Sequence, residues 1–172
     1  MFARTATALL TLTASLAAGT AVADAATVSK AFADHCFSPY LTVQTAAEAL
    51  EPSGARVDFY DLRPFSSTAP SPVTGAPITA GTDRRCEVSF DGADTDTASF
   101  WLTKGLAREG LSDDAVPVPE KFPAQSGTVI IAAAQLNPKR IAVVQIGLRE
   151  GPQGPETFLS IERLIPLEGE DE

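Results

Sequence analysis

The densest hydrophobic pattern lies in the last third of the chain. Three runs there, residues 127–135, 140–148 and 157–165, are rich in Val, Ile, Leu and Phe. Each is strand-sized and bounded by turn residues. Asn137-Pro138-Lys139 joins the first two, and residues 150–155, with two glycines and two prolines, join the second to the third. Links this short require antiparallel neighbours, because a parallel pair needs a crossover of about a dozen residues. Val129, Ile131 and Ala133 alternate with Ile130, Ala132 and Ala134, and Ile141 and Val143 alternate with Ala142, Val144 and Ile146. Both faces of these two runs are apolar, which predicts central strands covered, at least in part, on both sides. The third run sets Ser160 and Glu162 against Leu159 and Ile161, the alternation of a more exposed edge.

Period two recurs upstream. In residues 85–90, Cys86, Val88 and Phe90 oppose Glu87 and Ser89; in residues 56–62, Val57, Phe59 and Asp61 oppose Asp58, Tyr60 and Leu62. Between residues 94 and 109 the period becomes helical: Ala98, Trp101, Leu102, Gly105 and Leu106 share one face. Acids near its start and Lys104 and Arg108 near its end suit the helix dipole, and Gly110 offers a stop. Two shorter helices precede these elements. One spans residues 27–36, with Val28, Ala31, Phe32 and His35 on one face; the other follows Thr45-Ala46-Ala47-Glu48, which has capping-box spacing, and ends at Pro52-Ser53-Gly54. Together they predict an α+β fold: a mainly antiparallel sheet of about five strands with a C-terminal three-strand meander, one main amphipathic helix packed through Trp101, Leu102 and Leu106, and short N-terminal helices. Residues 63–82, rich in Pro, Ser, Thr, Gly and Ala, read as a long loop of the kind that often carries recognition.

The first residues do not fit this domain. A positive start with Arg4, an uncharged run over residues 5–18 and the small-residue site Ala21-Val22-Ala23 form the pattern of a secretory signal peptide. The run is too short and too weakly apolar for a good membrane span. We therefore expect a signal peptide over residues 1–23, a single domain over 24–167 and a disordered acidic tail over 168–172. No Cys follows the leader closely, so no lipid anchor is expected. The chain of 172 residues carries a net charge of −9. Such a charge disfavours nucleic acid and anionic membrane surfaces as partners. Frequent Ala and Pro, Arg in excess of Lys, and a single Asn suit a GC-rich bacterial genome, which with the leader favours the periplasm or secretion.

Export gives the two cysteines their meaning. Cys36 and Cys86 are the only pair available, and in an oxidising compartment they are expected to form a disulfide. The chain-entropy description gives about 4 kcal/mol for the loop that the bridge closes.

Few residues suggest reaction chemistry. His35 is the only histidine; Gly-x-Ser-x-Gly, Ser-x-x-Lys and phosphate-loop patterns do not occur. Asp91, Asp94 and Asp96 are close enough to test for calcium, but the third and twelfth positions counted from Asp91 are Ala93 and Leu102, against the EF-hand pattern. One His and two paired Cys make no standard zinc site. No catalytic residue, metal or cofactor is therefore assigned. Arg84 and Arg85 form a basic spot able to receive a ligand carboxylate, although pairing with nearby Asp83 or Asp91 is the simpler reading, and Phe100 points away from Trp101 on the main helix. Arg84, Arg85 and Phe100 are the binding candidates.

Ala31-Phe32 before Cys36, then Arg85-Cys86-Glu87-Val88, then a helix and a terminal meander give a general resemblance. The chain resembles the small two-cysteine exported proteins of bacteria that have no assigned function. The resemblance implies an exported domain and carries over no activity and no site residue. The expectation is a non-catalytic domain that binds a protein or a small envelope component. The alternative is a hydrolase whose acids, among them Glu87, Asp91 and Asp94, converge only in three dimensions.

Overall fold

The computed structural model describes residues 23–62, 79, 81–138 and 140–164. The expected leader up to residue 22, most of the 63–82 loop and the 168–172 tail lie outside the described residues. Among those described, the elements run α1 (Ala25–His35), α2 (Val43–Leu50), a 3-10 turn (Glu51–Ser53), β1 (Arg56–Asp61), β2 (Thr82–Asp91), α3 (Thr95–Arg108), β3 (Ala115–Val116), β4 (Thr128–Asn137), β5 (Arg140–Gly151) and β6 (Gly154–Leu164). The strands form one sheet in the order β1-β2-β6-β5-β4-β3, and every neighbouring pair is antiparallel. The fold is α+β, with the expected meander; β3 is a sixth, two-residue strand hidden in the segment after α3.

Each helix begins on a side-chain cap. Asp24 accepts from the Thr27 amide ahead of α1, and Asp94 accepts from the Thr97 amide ahead of α3. The capping box of α2 is built by Thr42 and Thr45, one turn earlier than the Thr45–Glu48 spacing predicts. Thr45 Oγ1 accepts from the Thr42 amide, the reciprocal role usually taken by Glu or Gln.

The three helices pack on one face of the sheet. Phe59, Cys86, Val88, Phe90, Leu159 and Ile161 meet Val28, Phe32, Ala46, Leu50, Ala98 and Leu102 in one core. Trp101 sits at its rim, half-buried, with Lys30 over its ring. Cys36 closes α1 and is bonded to Cys86 in the middle of β2, Cα to Cα 5.4 Å. The staple ties the helical layer to the sheet at its centre.

Two expectations are corrected. β6 is not an edge: it lies between β2 and β5, and Ser160 and Glu162 are fully buried. Its polar positions face polar positions on its neighbour, Glu87 opposite Ser160 and Arg85 opposite Glu162, so the alternation marks a buried polar face rather than a solvated one. β4, in turn, is buried only at Ala133 and Ala134. β3 pairs only with Ala133 and Ala134, and Val129, Ile130 and Ile131 remain exposed.

Candidate functional site

At one end of the helix-bearing face, β2, β5 and β6 each continue an apolar row into an arginine. Arg84 follows the row of Cys86, Val88 and Phe90; Arg140 that of Ala142 and Val144; Arg163 that of Ile161 and Leu159. Arg84 and Arg163 are direct cross-strand partners. Like charges in that relation repel, and two aspartates intervene. Asp61 pairs with Arg84 at 3.1 Å and with Arg163 at 3.5 Å; Asp83 pairs with Arg163 at 2.6 Å and with Arg140 at 3.3 Å. Asp83 reaches this place through a register shift between Thr82 and Arg84. The bulge re-aims one residue, so that Asp83 and Arg84, adjacent in sequence, line the same concavity.

That concavity is a cleft of about 600 Å³, within the range of small-molecule sites. Its apolar wall comprises Phe37, Leu111, Leu136 and Ile161, beside the Cys36 half of the disulfide. Arg84 is built into the frame: its guanidinium donates to the carbonyls of Ser38, Pro39 and Leu41 and lies over the Phe59 ring. Arg140 is different. Its Nη1 donates to the Leu164 carbonyl and faces Asp83, while Nε and Nη2 make no hydrogen bond among the described residues. Its side chain is 31% exposed, against 7% for Arg84.

The other face of the sheet is polar and largely buried. Arg149 pairs with Glu87 at 2.8 Å and with Glu156 at 2.5 Å; Arg56 pairs with Glu156 and, at 2.8 Å, with Asp91; Arg85 pairs with Asp58 at 3.3 Å and Glu162 at 3.4 Å. Gln125 docks on this face, its amide side chain donating to Glu87 and its backbone N–H to Gln145, which in turn donates to Glu162. Burial pushes the Glu162 carboxyl above the usual glutamate range, and Arg85 and Thr79 only partly offset it. Burial alone would lower the Arg149 pKa; Glu87 and Glu156 outweigh it and raise the value. A shallower groove of about 430 Å³ opens beside Arg56, Glu87, Arg149 and Glu156.

The structure thus separates the two adjacent arginines proposed as one basic spot: Arg84 frames the cleft and Arg85 belongs to the opposite face. Phe100 is 55% exposed on the outer side of α3. Of the three acids considered for hydrolysis, Glu87 and Asp91 lie on the polar face, whereas Asp94 caps α3. His35 ends α1, half-buried. Among the described residues there is no group of three His, Cys, Asp or Glu side chains placed to hold a metal ion. No helix among them is long and apolar enough to cross a membrane.

Sequence reasoning offers Asp83 only as a neighbour able to pair with Arg84 or Arg85, not as a cleft residue, and does not identify Arg140 or Arg163. For the two arginines a signal exists, since each occupies an apolar-row position where a charge breaks the pattern. For Asp83 none exists, because strict alternation assigns it to the face of Arg85 and only the bulge moves it. Compared with protein-family models, with curated proteins and with solved structures, the chain finds no match.

Proposed function

We propose that the chain is an exported bacterial domain, periplasmic or secreted, that binds a small envelope component in the cleft between the helices and the arginine end of the sheet. One observation carries this reading: the cleft is roomy and its lining joins apolar side chains, Phe37, Leu111, Leu136 and Ile161, to a group of charged ones. Apolar walls supply burial, and a few placed polar groups supply orientation. Its lining carboxylates have cationic neighbours, Asp83 with Arg163 and Glu109 with Arg108, which suits recognition rather than proton transfer. The domain acts in this reading without catalysis, alongside the exported two-cysteine bacterial proteins that it resembles.

The competing reading is a protein partner, favoured by Phe100, exposed on α3 beneath Lys104. Native mass spectrometry of the protein recovered undenatured from its own envelope separates the two. A small-molecule adduct that disappears in Leu136→Trp, which fills the cleft, supports the proposal. An adduct retained by Leu136→Trp but lost in Phe100→Ala contradicts it. Turnover of an ester or glycan by the purified chain replaces it with the hydrolase.

A further inference from the structure

We propose that the ligand of the cleft is an amphipathic carboxylate, and that Arg140 binds its carboxylate group; this rests on the cleft being the binding site. A guanidinium offers its donors in a fixed fork that matches two carboxylate oxygens. The Nε–Nη2 edge is one such fork. In Arg140 that edge is unused among the described residues, because the contacts to Leu164 and Asp83 are both made through Nη1. The same contacts hold the side chain in place, so little rotamer freedom remains to be lost when a ligand arrives. Arg163 has no equivalent edge: its Nε is taken by Asp83 and its Nη2 faces Asp61.

Charge narrows the chemistry. The three arginines that line the cleft face three carboxylates, Asp61, Asp83 and Glu109, so the set carries no excess positive charge. A carboxylate gains its binding there from the unused fork of Arg140 and adds one negative charge. A dianion such as a phosphate monoester adds two beside those carboxylates, in a chain already at −9. The rest of the ligand is apolar, to lie against the part of the lining made by Phe37, Leu111, Leu136 and Ile161.

The probes are octanoate, octanol, octylammonium and octyl phosphate, titrated into the oxidised chain and followed by amide chemical shifts at the cleft. Octanoate is expected to bind ten- to a hundredfold tighter than octanol, the scale of hydrogen bonds to a charged group. Octylammonium is expected not to bind, and octyl phosphate to bind more weakly than octanoate. Arg140→Gln should bring octanoate down to the octanol level and leave octanol unchanged. Arg140→Lys, which keeps the charge without the fork, should fall between. Asp83 retains Arg163 in both variants, and unchanged thermal unfolding confirms that they fold. Equal binding of octanoate and octanol, or an octanoate affinity untouched by Arg140→Gln, overturns the carboxylate and leaves the cleft a binding site. Tighter binding of octyl phosphate reassigns the ligand to phosphates. If no probe moves the cleft signals, the inference and the reading beneath it fall together.

Discussion

Two residues show how tightly local chemistry is constrained. Gly105 sits where α1 and α3 approach: a Cβ there would stand 2.6 Å from the Phe37 ring and 3.3 Å from the Ala33 Cα. The small residue, not its backbone freedom, is what the contact requires. Gly105→Ala should therefore destabilise the fold by about 1–3 kcal/mol, the scale of overpacking, and a urea titration measures it. Because Phe37 also lines the cleft, the same change should weaken ligand binding. Glu162 makes a different prediction. Its folded pKa lies above the usual glutamate value of 4.5, so within that interval the folded state holds a proton that the unfolded chain has released. The contribution of this group to stability is complete below pH 4.5 and declines as pH rises to the folded pKa. Glu162→Gln removes the dependence. The stability of the variant relative to the native chain should improve with rising pH from 4.5 upward and then level off. Denaturation midpoints across pH 4 to 8 test this, and a constant difference between the two proteins would show that Glu162 titrates normally.

At the scale of elements, β4 is the outlier. Val129 is 62% exposed and Ile130 and Ile131 are 37% exposed, on a stretch from Gly127 to Asn137 that carries no charge. Strands of this kind next to a short edge are pairing hazards. Ile130→Lys should reduce aggregation in light scattering while shifting the unfolding midpoint little. The sequence did make β4 legible as a strand, because its side chains are apolar and its turns are marked. It did not reveal the order of strands. An apolar pattern on both faces predicts at least partial coverage of both, yet Val129, Ile130 and Ile131, successive residues on alternate faces, stay exposed. The polar alternation of β6 predicts exposure, but Gln125 donates to Glu87 and Ser160, and Gln145 donates to Glu162, so this polar face is satisfied within the protein. Periodicity reports which side chains share a face; it does not report whether that face meets solvent or a second polar row. The ends of α1 and α3 are readable to within two residues, whereas the start of α2 lies three residues earlier than expected, because Thr45 serves as the partner of the Thr42 cap rather than as the cap.

For the whole molecule, the organising feature is a sheet with two unlike faces, helices and apolar core on one, a charge lattice on the other. The disulfide belongs to the first, holding α1 against β2 beside the cleft. Replacing both Cys36 and Cys86 by Ala should lower stability by up to about 4 kcal/mol, since the closed loop is about 50 residues long. It should also loosen the cleft wall, so ligand affinity should fall under reducing conditions. The sequence shows only half of the arginine end of the sheet: it points to Arg84, but as one spot with Arg85, which the strand geometry places on the opposite face. What assembled the site was strand order, which brought β2, β5 and β6 side by side, together with the bulge at Asp83. The most direct test of the cleft as the functional site is amide chemical-shift mapping of the isotope-labelled chain with a small-molecule extract of the envelope. The account predicts the largest shifts at Phe37, Leu111, Leu136 and Arg140. Shifts confined to Phe100 and Lys104 on α3, or to Arg56 and Arg149 on the polar face, with the cleft unmoved, would contradict it.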